Sequence, residues 1–122
     1  MAGSFDLVIR HTTQVIYTQL PGNVKAYLKY KVEDNVMKLI ETYTPEEFRG
    51  KGIGYKLVEY AINLARVNNW LIEPICSFTI YYFMKNKDKR SILIDRYREL
   101  DDPDWFKLLE KAKRRESKSD IA

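Results

Sequence analysis

The feature that most restricts this chain is a run of alternating glycines, Gly50, Gly52 and Gly54, set directly against a long stretch with helical periodicity. In that stretch Ile53, Leu57, Val58, Ala61, Ile62 and Ala65 fall on one stripe, while Lys56, Glu59, Asn63 and Arg66 lie off it. The spacing predicts an amphipathic helix packed on a core, ending at Asn68-Asn69. Glycine tolerates positive φ and lets another group approach the backbone closely, and the first N–H groups of a helix have no partners within it. A strand-to-helix turn of this kind presents a nest of donors at the positive end of a helix dipole, which suits a phosphate. Arg49, Lys51 and Lys56 add positive charge around it. A tight structural turn with incidental basic residues satisfies the same spacing. Two other phosphate motifs do not fit: no Gly-Lys-Ser/Thr closes a four-residue spacer, and a dinucleotide fingerprint needs glycine where Tyr55 stands.

Strands precede this helix. Val15-Ile16-Tyr17-Thr18 reads as a short strand, Leu20-Pro21-Gly22-Asn23 as a turn, and Ala26 to Val32 alternates as a half-exposed strand does. Glu33-Asp34-Asn35 is a polar hairpin turn, and Val36 to Tyr43 the next strand, ended by Pro45. After the helix come a short apolar strand, Leu71 to Cys76, and a helix to about Met84 that Ser77 is placed to cap. Lys85 to Arg90 is expected as a solvated charged loop, and Ser91 as the cap of a further helix to about Leu100. Asp102-Pro103-Asp104 is a helix start, with proline in the first turn. That last helix carries Trp105, Phe106 and Leu109 and is expected to fray within Lys113 to Glu116. Tyr27, Tyr30 and Tyr43 are expected to pack on the sheet, and Trp70 and Trp105 to anchor the core. The order implies an α+β layered fold.

The chain's 122 residues suit one domain spanning 1–122, and its 45% hydrophobic content is enough for a core. No run of eighteen apolar residues occurs, so no transmembrane helix is expected. Met1 to Asp6 lacks a basic region followed by an apolar stretch, so no signal peptide is expected and the cytoplasm is the anticipated compartment. One cysteine, Cys76, and one histidine, His11, exclude an intramolecular disulfide and a zinc site built from several Cys and His ligands; no metal is expected. His11 lies in a polar stretch without a nucleophile motif and is expected at the surface. The net charge of +4 owes much to Lys111, Lys113, Arg114, Arg115 and Lys118. It favours anionic partners without choosing among them.

The string Pro45-Glu46-Glu47-Phe48-Arg49-Gly50-Lys51-Gly52-Ile53-Gly54 resembles motif A of the GNAT superfamily of acetyltransferases, whose Arg/Gln-x-x-Gly-x-Gly/Ala pattern is carried by Arg49, Gly52 and Gly54. The resemblance implies a mixed, mainly antiparallel sheet flanked by helices, with acetyl-CoA as cosubstrate. Its pyrophosphate would lie on Arg49, Gly50, Lys51, Gly52, Ile53 and Gly54, and its pantetheine arm along the strand end at Thr42, Tyr43 and Thr44. Pro74-Ile75-Cys76-Ser77-Phe78, with Tyr82 after it, is similar to a segment of the minimal YjdJ-type subgroup. That subgroup often has histidine where Glu41 stands, and His-Pro-Glu where this chain has Asn86-Lys87-Asp88. The resembling core runs over about 15–90, and the helical extension over 91–122 lies beyond it.

Acetyl transfer needs a neutral amine, a polarised thioester carbonyl and a proton for the departing thiolate. Glu41 is the candidate base, or an exposed strand carboxylate. Cys76 is a candidate acetyl acceptor or thioester contact, standing before a helix whose dipole favours a thiolate, or else a small buried hydrophobe. Tyr82 is a candidate proton donor to the thiolate by resemblance, or a core residue beside Tyr81 and Phe83. The leading expectation is an N-acetyltransferase acting on an unidentified amine. A CoA-binding module with reduced catalysis is the second. A nucleic-acid-associated protein using the basic C-terminal helix is the third, without an aromatic-and-basic recognition motif to support it. That basic run, Lys111 to Lys118, is expected as a solvated end that acyl-CoA binding does not need.

Overall fold

The computed structural model describes residues 7–121, with side chains to residue 118. The expectation for Met1 to Asp6 lies outside the described residues. Five strands form one sheet in sequence order: β1 (Ile9–His11), β2 (Val15–Leu20), β3 (Val24–Glu33), β4 (Val36–Tyr43) and β5 (Leu71–Pro74). The first four are antiparallel neighbours, and β5 joins β4 in parallel. Tight turns make the meander: Gly22 and Asn23 between β2 and β3, and Asp34 and Asn35 between β3 and β4, all take positive φ, the conformation that short hairpin loops demand. Along β3, Ala26, Leu28 and Tyr30 are buried while Lys25, Lys29 and Lys31 face solvent, so one sheet face carries the core.

The crossover between β4 and β5 is α1 (Ile53–Asn68), whose buried residues are the six of the sequence stripe. Asn69 ends it in the left-handed conformation. It packs across β2, β3, β4 and β5. After β5 comes α2 (Ser77–Lys85), lying against β4, β5 and α1. The result is the α+β, mainly antiparallel architecture expected.

Several local expectations are corrected. β1 has no counterpart among them; its pairing with β2 orders a polar stretch that has no periodicity of its own. Ser77 is not a cap but the first residue of α2; Cys76 holds the cap position. The charged segment after α2 is not a solvated loop but a 3-10 turn, Lys87–Ile92. Within it Arg90 turns inward, donating to the carbonyls of Phe83 and Met84 and stacking over Trp105 at 4.6 Å. Ser91 caps no helix, because Leu93 is fully buried and bridges Ile72, which keeps the chain extended there. In place of the expected helix to about Leu100 stands a single turn, α3 (Asp95–Arg98).

The last helix, α4 (Asp102–Ile121), does not fray at Lys113 to Glu116. Asp101 starts it, its carboxylate accepting the Asp104 N–H at 3.0 Å, a side-chain N-cap. Trp105, Leu109 and Ala112 are buried, and α4 packs against α2. Phe106, expected beside Trp105, faces outward.

Candidate active site

The β4–β5 ladder contains four pairs and ends at Leu39 opposite Pro74. Beyond it the two strands part. The Leu39 carbonyl accepts from both Ile75 N–H (2.9 Å) and Cys76 N–H (3.2 Å), which turns the chain out of β5 into α2. On the other side of β4 the register with β3 shifts: Tyr30 faces Leu39, but Lys29 faces Glu41. Ile40 is therefore an extra residue, a bulge that bends the strand and re-aims the side chains after it. Without it Glu41 would share Leu39's buried face; with it Ile40 and Glu41 are exposed and Thr42 turns inward.

Between the parted strands lies a cleft of two adjoining chambers. The first, about 520 Å³, is lined by Thr42, Tyr43, Thr44, Phe48, Arg49, Gly50, Gly52, Ile53, Gly54, Tyr55 and Phe78. Of the residues expected to hold acyl-CoA, only Lys51 is absent from that lining; it is exposed. The glycines have separate reasons. Gly50 and Gly52 take φ of +77° and +81°, and added Cβ atoms there would point into open space. Gly54 has ordinary backbone, but a Cβ on it would sit 2.6 Å from the Phe78 ring. Gly52 holds the cap position of α1 without any side-chain cap, so the helix N-terminus opens toward the chamber. Arg49 braces the turn, its Nε donating to the Thr44 carbonyl at 2.8 Å.

The second chamber, about 660 Å³, is lined by Ile40, Glu41, Thr42, Tyr43, Arg49, Cys76, Ser77, Phe78 and Glu116. Thr42, Tyr43, Arg49 and Phe78 belong to both linings and form the junction. Cys76 is only 6% exposed. Its Sγ lies 3.4 Å from Thr42 Oγ1 and 3.3 Å from Thr79 Oγ1. The histidine sits on β1, at the opposite edge of the sheet, with Nδ1 2.6 Å from the Tyr60 hydroxyl. Glu41 is held on the outer face by Lys29 at 3.6 Å and by the Tyr27 hydroxyl, which donates to it at 3.1 Å. Burial, then the Glu41 charge, holds the Tyr27 phenol above its ordinary value.

Of the three candidate catalytic residues, the structure brings Cys76 and Glu41 to one chamber but not Tyr82, which is 1% exposed and lines neither. Its ring meets Tyr55 and Phe83 edge-on in the core, and burial raises its phenol. Glu116 escapes sequence reasoning. Its oxygens accept from the Ser77 N–H at 2.8 Å and the Ser77 hydroxyl at 2.6 Å, while neighbouring Arg115 donates to the Ile75 carbonyl at 2.7 Å. The basic residues of the C-terminal run are exposed, as expected of a solvated face, but the run is not a frayed end: through Glu116 it walls the second chamber. The one signal for it is its spacing from Trp105, Leu109 and Ala112, which continues the buried stripe of α4. Among the described residues no group of three or more His, Cys, Asp or Glu gathers as for a metal ion. Among them also, no helix is long and apolar enough to cross a membrane.

The family model described as GCN5-related N-acetyl-transferase matches residues 15–92. Among solved structures, the chain is similar to the solution structure of a GCN5-like protein from Staphylococcus aureus, designated a candidate N-acetyltransferase. The identity is 26% and the TM-score 0.60, over 77% of this chain and 91% of the other. No curated protein matches. With more than half its length matched, the chain belongs to the GCN5-related N-acetyltransferase family.

Proposed function

We propose that this protein is an acetyl-CoA-dependent N-acetyltransferase that holds the cosubstrate in the first chamber and takes an amine acceptor into the second. The observation that carries the reading is the continuity of the two chambers across Thr42, Tyr43, Arg49 and Phe78. The pyrophosphate would lie at Gly50 to Gly54, where backbone donors, the α1 dipole and Arg49 favour an anion. The pantetheine arm would run along Thr42 to Thr44, where β4 has lost β5 as a neighbour and can take an extended chain as an added strand. The Pro74-Ile75-Cys76-Ser77-Phe78 string supports placement in the minimal YjdJ-type subgroup, within a single domain working in the cytoplasm.

In the chemistry proposed, Glu41 accepts a proton from the incoming amine. The amine nitrogen bonds the thioester carbon, the C–S bond breaks, and the proton that Glu41 took from nitrogen returns through water to the departing sulfur, which would lie at the junction beside the Thr42 hydroxyl and Cys76 thiol. Transfer is direct. Cys76 is flanked by two threonine hydroxyls, with the only histidine across the sheet, so no evident base activates it as an acetyl carrier. Incubation with acetyl-CoA followed by intact-mass measurement, with turnover read on a panel of amines, tests this. Cys76→Ala should keep most activity, and Glu41→Gln should lower kcat about 100-fold. An acetylated Cys76 that passes its group on at the rate of turnover would overturn direct transfer. Acetyl-CoA binding without turnover on any amine would favour a binding module of reduced catalysis, for which the tethering of Glu41 by Lys29 and Tyr27 is the supporting observation.

A further inference from the structure

The family match ends at residue 92, yet α4 reaches back across the cleft. Trp105, Leu109, Ala112 and Glu116 recur at four, three and four residues, so they share one helix face. The first three are buried, and the fourth ends that stripe with a carboxylate. The carboxylate arrives where α2 lacks a cap of its own. Cys76 holds the cap position and makes no side-chain cap bond, which leaves the first amides of α2 without a local acceptor. Glu116 supplies one from outside the element, taking both the N–H and the hydroxyl of Ser77. Its negative charge also faces the positive end of the α2 dipole. Arg115 grips the Ile75 carbonyl two residues earlier.

The next residue after Ser77 is Phe78, whose ring stands against Gly54 and lines both chambers. In the same first turn Thr79 Oγ1 donates to the Cys76 carbonyl at 3.0 Å and lies 3.3 Å from its sulfur. We propose that Glu116 is a positioning residue of the cleft. By holding the first turn of α2 it sets Phe78 against Gly54 and keeps Cys76 folded against Thr42 and Thr79, so that the helix beyond the matched family region completes the site. Only the consequence for acetyl-CoA rests on the function proposed above.

The chain's single cysteine gives a direct reading, because the yellow thiolate released from a disulfide reagent such as DTNB reports Cys76 alone. On the full chain, Glu116→Ala should label about tenfold faster, as the unsupported turn opens locally. Glu116→Gln should stay within about threefold of wild type: its amide oxygen can accept from the Ser77 N–H while its NH2 donates to the Ser77 hydroxyl, so the geometry survives without the charge. Ile16→Val, a core change on distant β2, controls for general destabilisation and should label within about twofold of wild type. A wild-type rate in Glu116→Ala, or equal acceleration in Glu116→Gln or Ile16→Val, overturns the proposal. Should Glu116→Ala not fold, Ser77→Ala is read instead, with about a threefold rise expected and no rise overturning the proposal. Desulfo-CoA, which has no thiol, should slow labelling of the wild type and do so less in Glu116→Ala. If it slows none of the variants while their ranking holds, the positioning role stands and the acyl-CoA reading fails.

Discussion

At the level of single residues, one motif hides two different demands. In the string Arg49 to Gly54 the glycines look equivalent. In the structure Gly50 and Gly52 are required by positive φ beside open space, whereas Gly54 is required by an aromatic ring from another helix. The first demand is local and legible; the second depends on Phe78, which arrives through a crossover no spacing rule locates. Tyr82 shows the same limit. Its place after Pro74-Ile75-Cys76-Ser77-Phe78 marks it by resemblance as a proton donor, but helical spacing turns it away from both chambers and into the core. Burial first, then the charges of Glu59 and Asp88, raise its phenol above the ordinary 10.0. An acid whose folded value lies above its unfolded one contributes stability below the unfolded value, and that stability is lost as pH rises through the folded value. Tyr82→Phe keeps the ring packing and removes the ionisable group. Alkaline unfolding, followed by circular dichroism above about pH 10, should therefore shift to higher pH. Acetyl transfer near neutrality should change by less than about twofold. A folded Phe variant with lost turnover would return Tyr82 to the chemistry.

The elements divide by where their information lies. α1 is read correctly because its stripe, left-handed Asn69 and glycine start are all written within it, and β4 because Asp34-Asn35 and Pro45 bound it. The bulge inside β4 has no composition signal: Ile40 is extra only because the ladder from Tyr30 to Lys29 skips it. The short α3 replaces the helix expected from Ser91 to about Leu100 because Leu93 is drawn to Ile72, a contact more than twenty positions away. The end of α4 misleads for a related reason. Its basic residues describe a solvated face, and the face that docks is marked by a single carboxylate among them. Deleting 112–122 therefore removes buried Ala112 and the Arg115 and Glu116 bonds while keeping Trp105 and Leu109. The loss of charged hydrogen bonds should cost about 2 kcal/mol, lowering Tm by roughly 6–10 °C. A thermal melt of the shortened chain checks this, and an unchanged Tm would mean that the docked end adds nothing to the fold.

On the scale of the whole molecule, the cleft is a seam where the layers meet rather than a pit in one of them. Its walls come from the end of β4, the glycine turn, the first turns of α1 and α2, and the far part of α4. The sequence shows that α1 and the turn belong together, because they are contiguous, and Cys76 joins them by resemblance; that α4 takes part depends entirely on the tertiary docking of Trp105, Leu109 and Ala112. A ligand lying in such a seam touches elements that must separate on unfolding, so its binding energy adds to global stability. At about a hundredfold over its dissociation constant, acetyl-CoA should add about 2.7 kcal/mol, raising Tm by roughly 10 °C. Desulfo-CoA should act similarly, since the pyrophosphate and pantetheine contacts do not involve the sulfur. ATP, which brings phosphates but no pantetheine to lie along Thr42 to Thr44, should give a smaller shift. Gly52→Val should give none with any of the three. Its β-branched side chain fills the open space before the helix N-terminus and resists a φ of +81°, while circular dichroism of the unliganded variant should retain the helix and strand signals. Equal shifts for ATP and acetyl-CoA would reduce the site to a general anion nest, and an undiminished acetyl-CoA shift in Gly52→Val would make the glycine turn a structural corner with the cosubstrate held elsewhere.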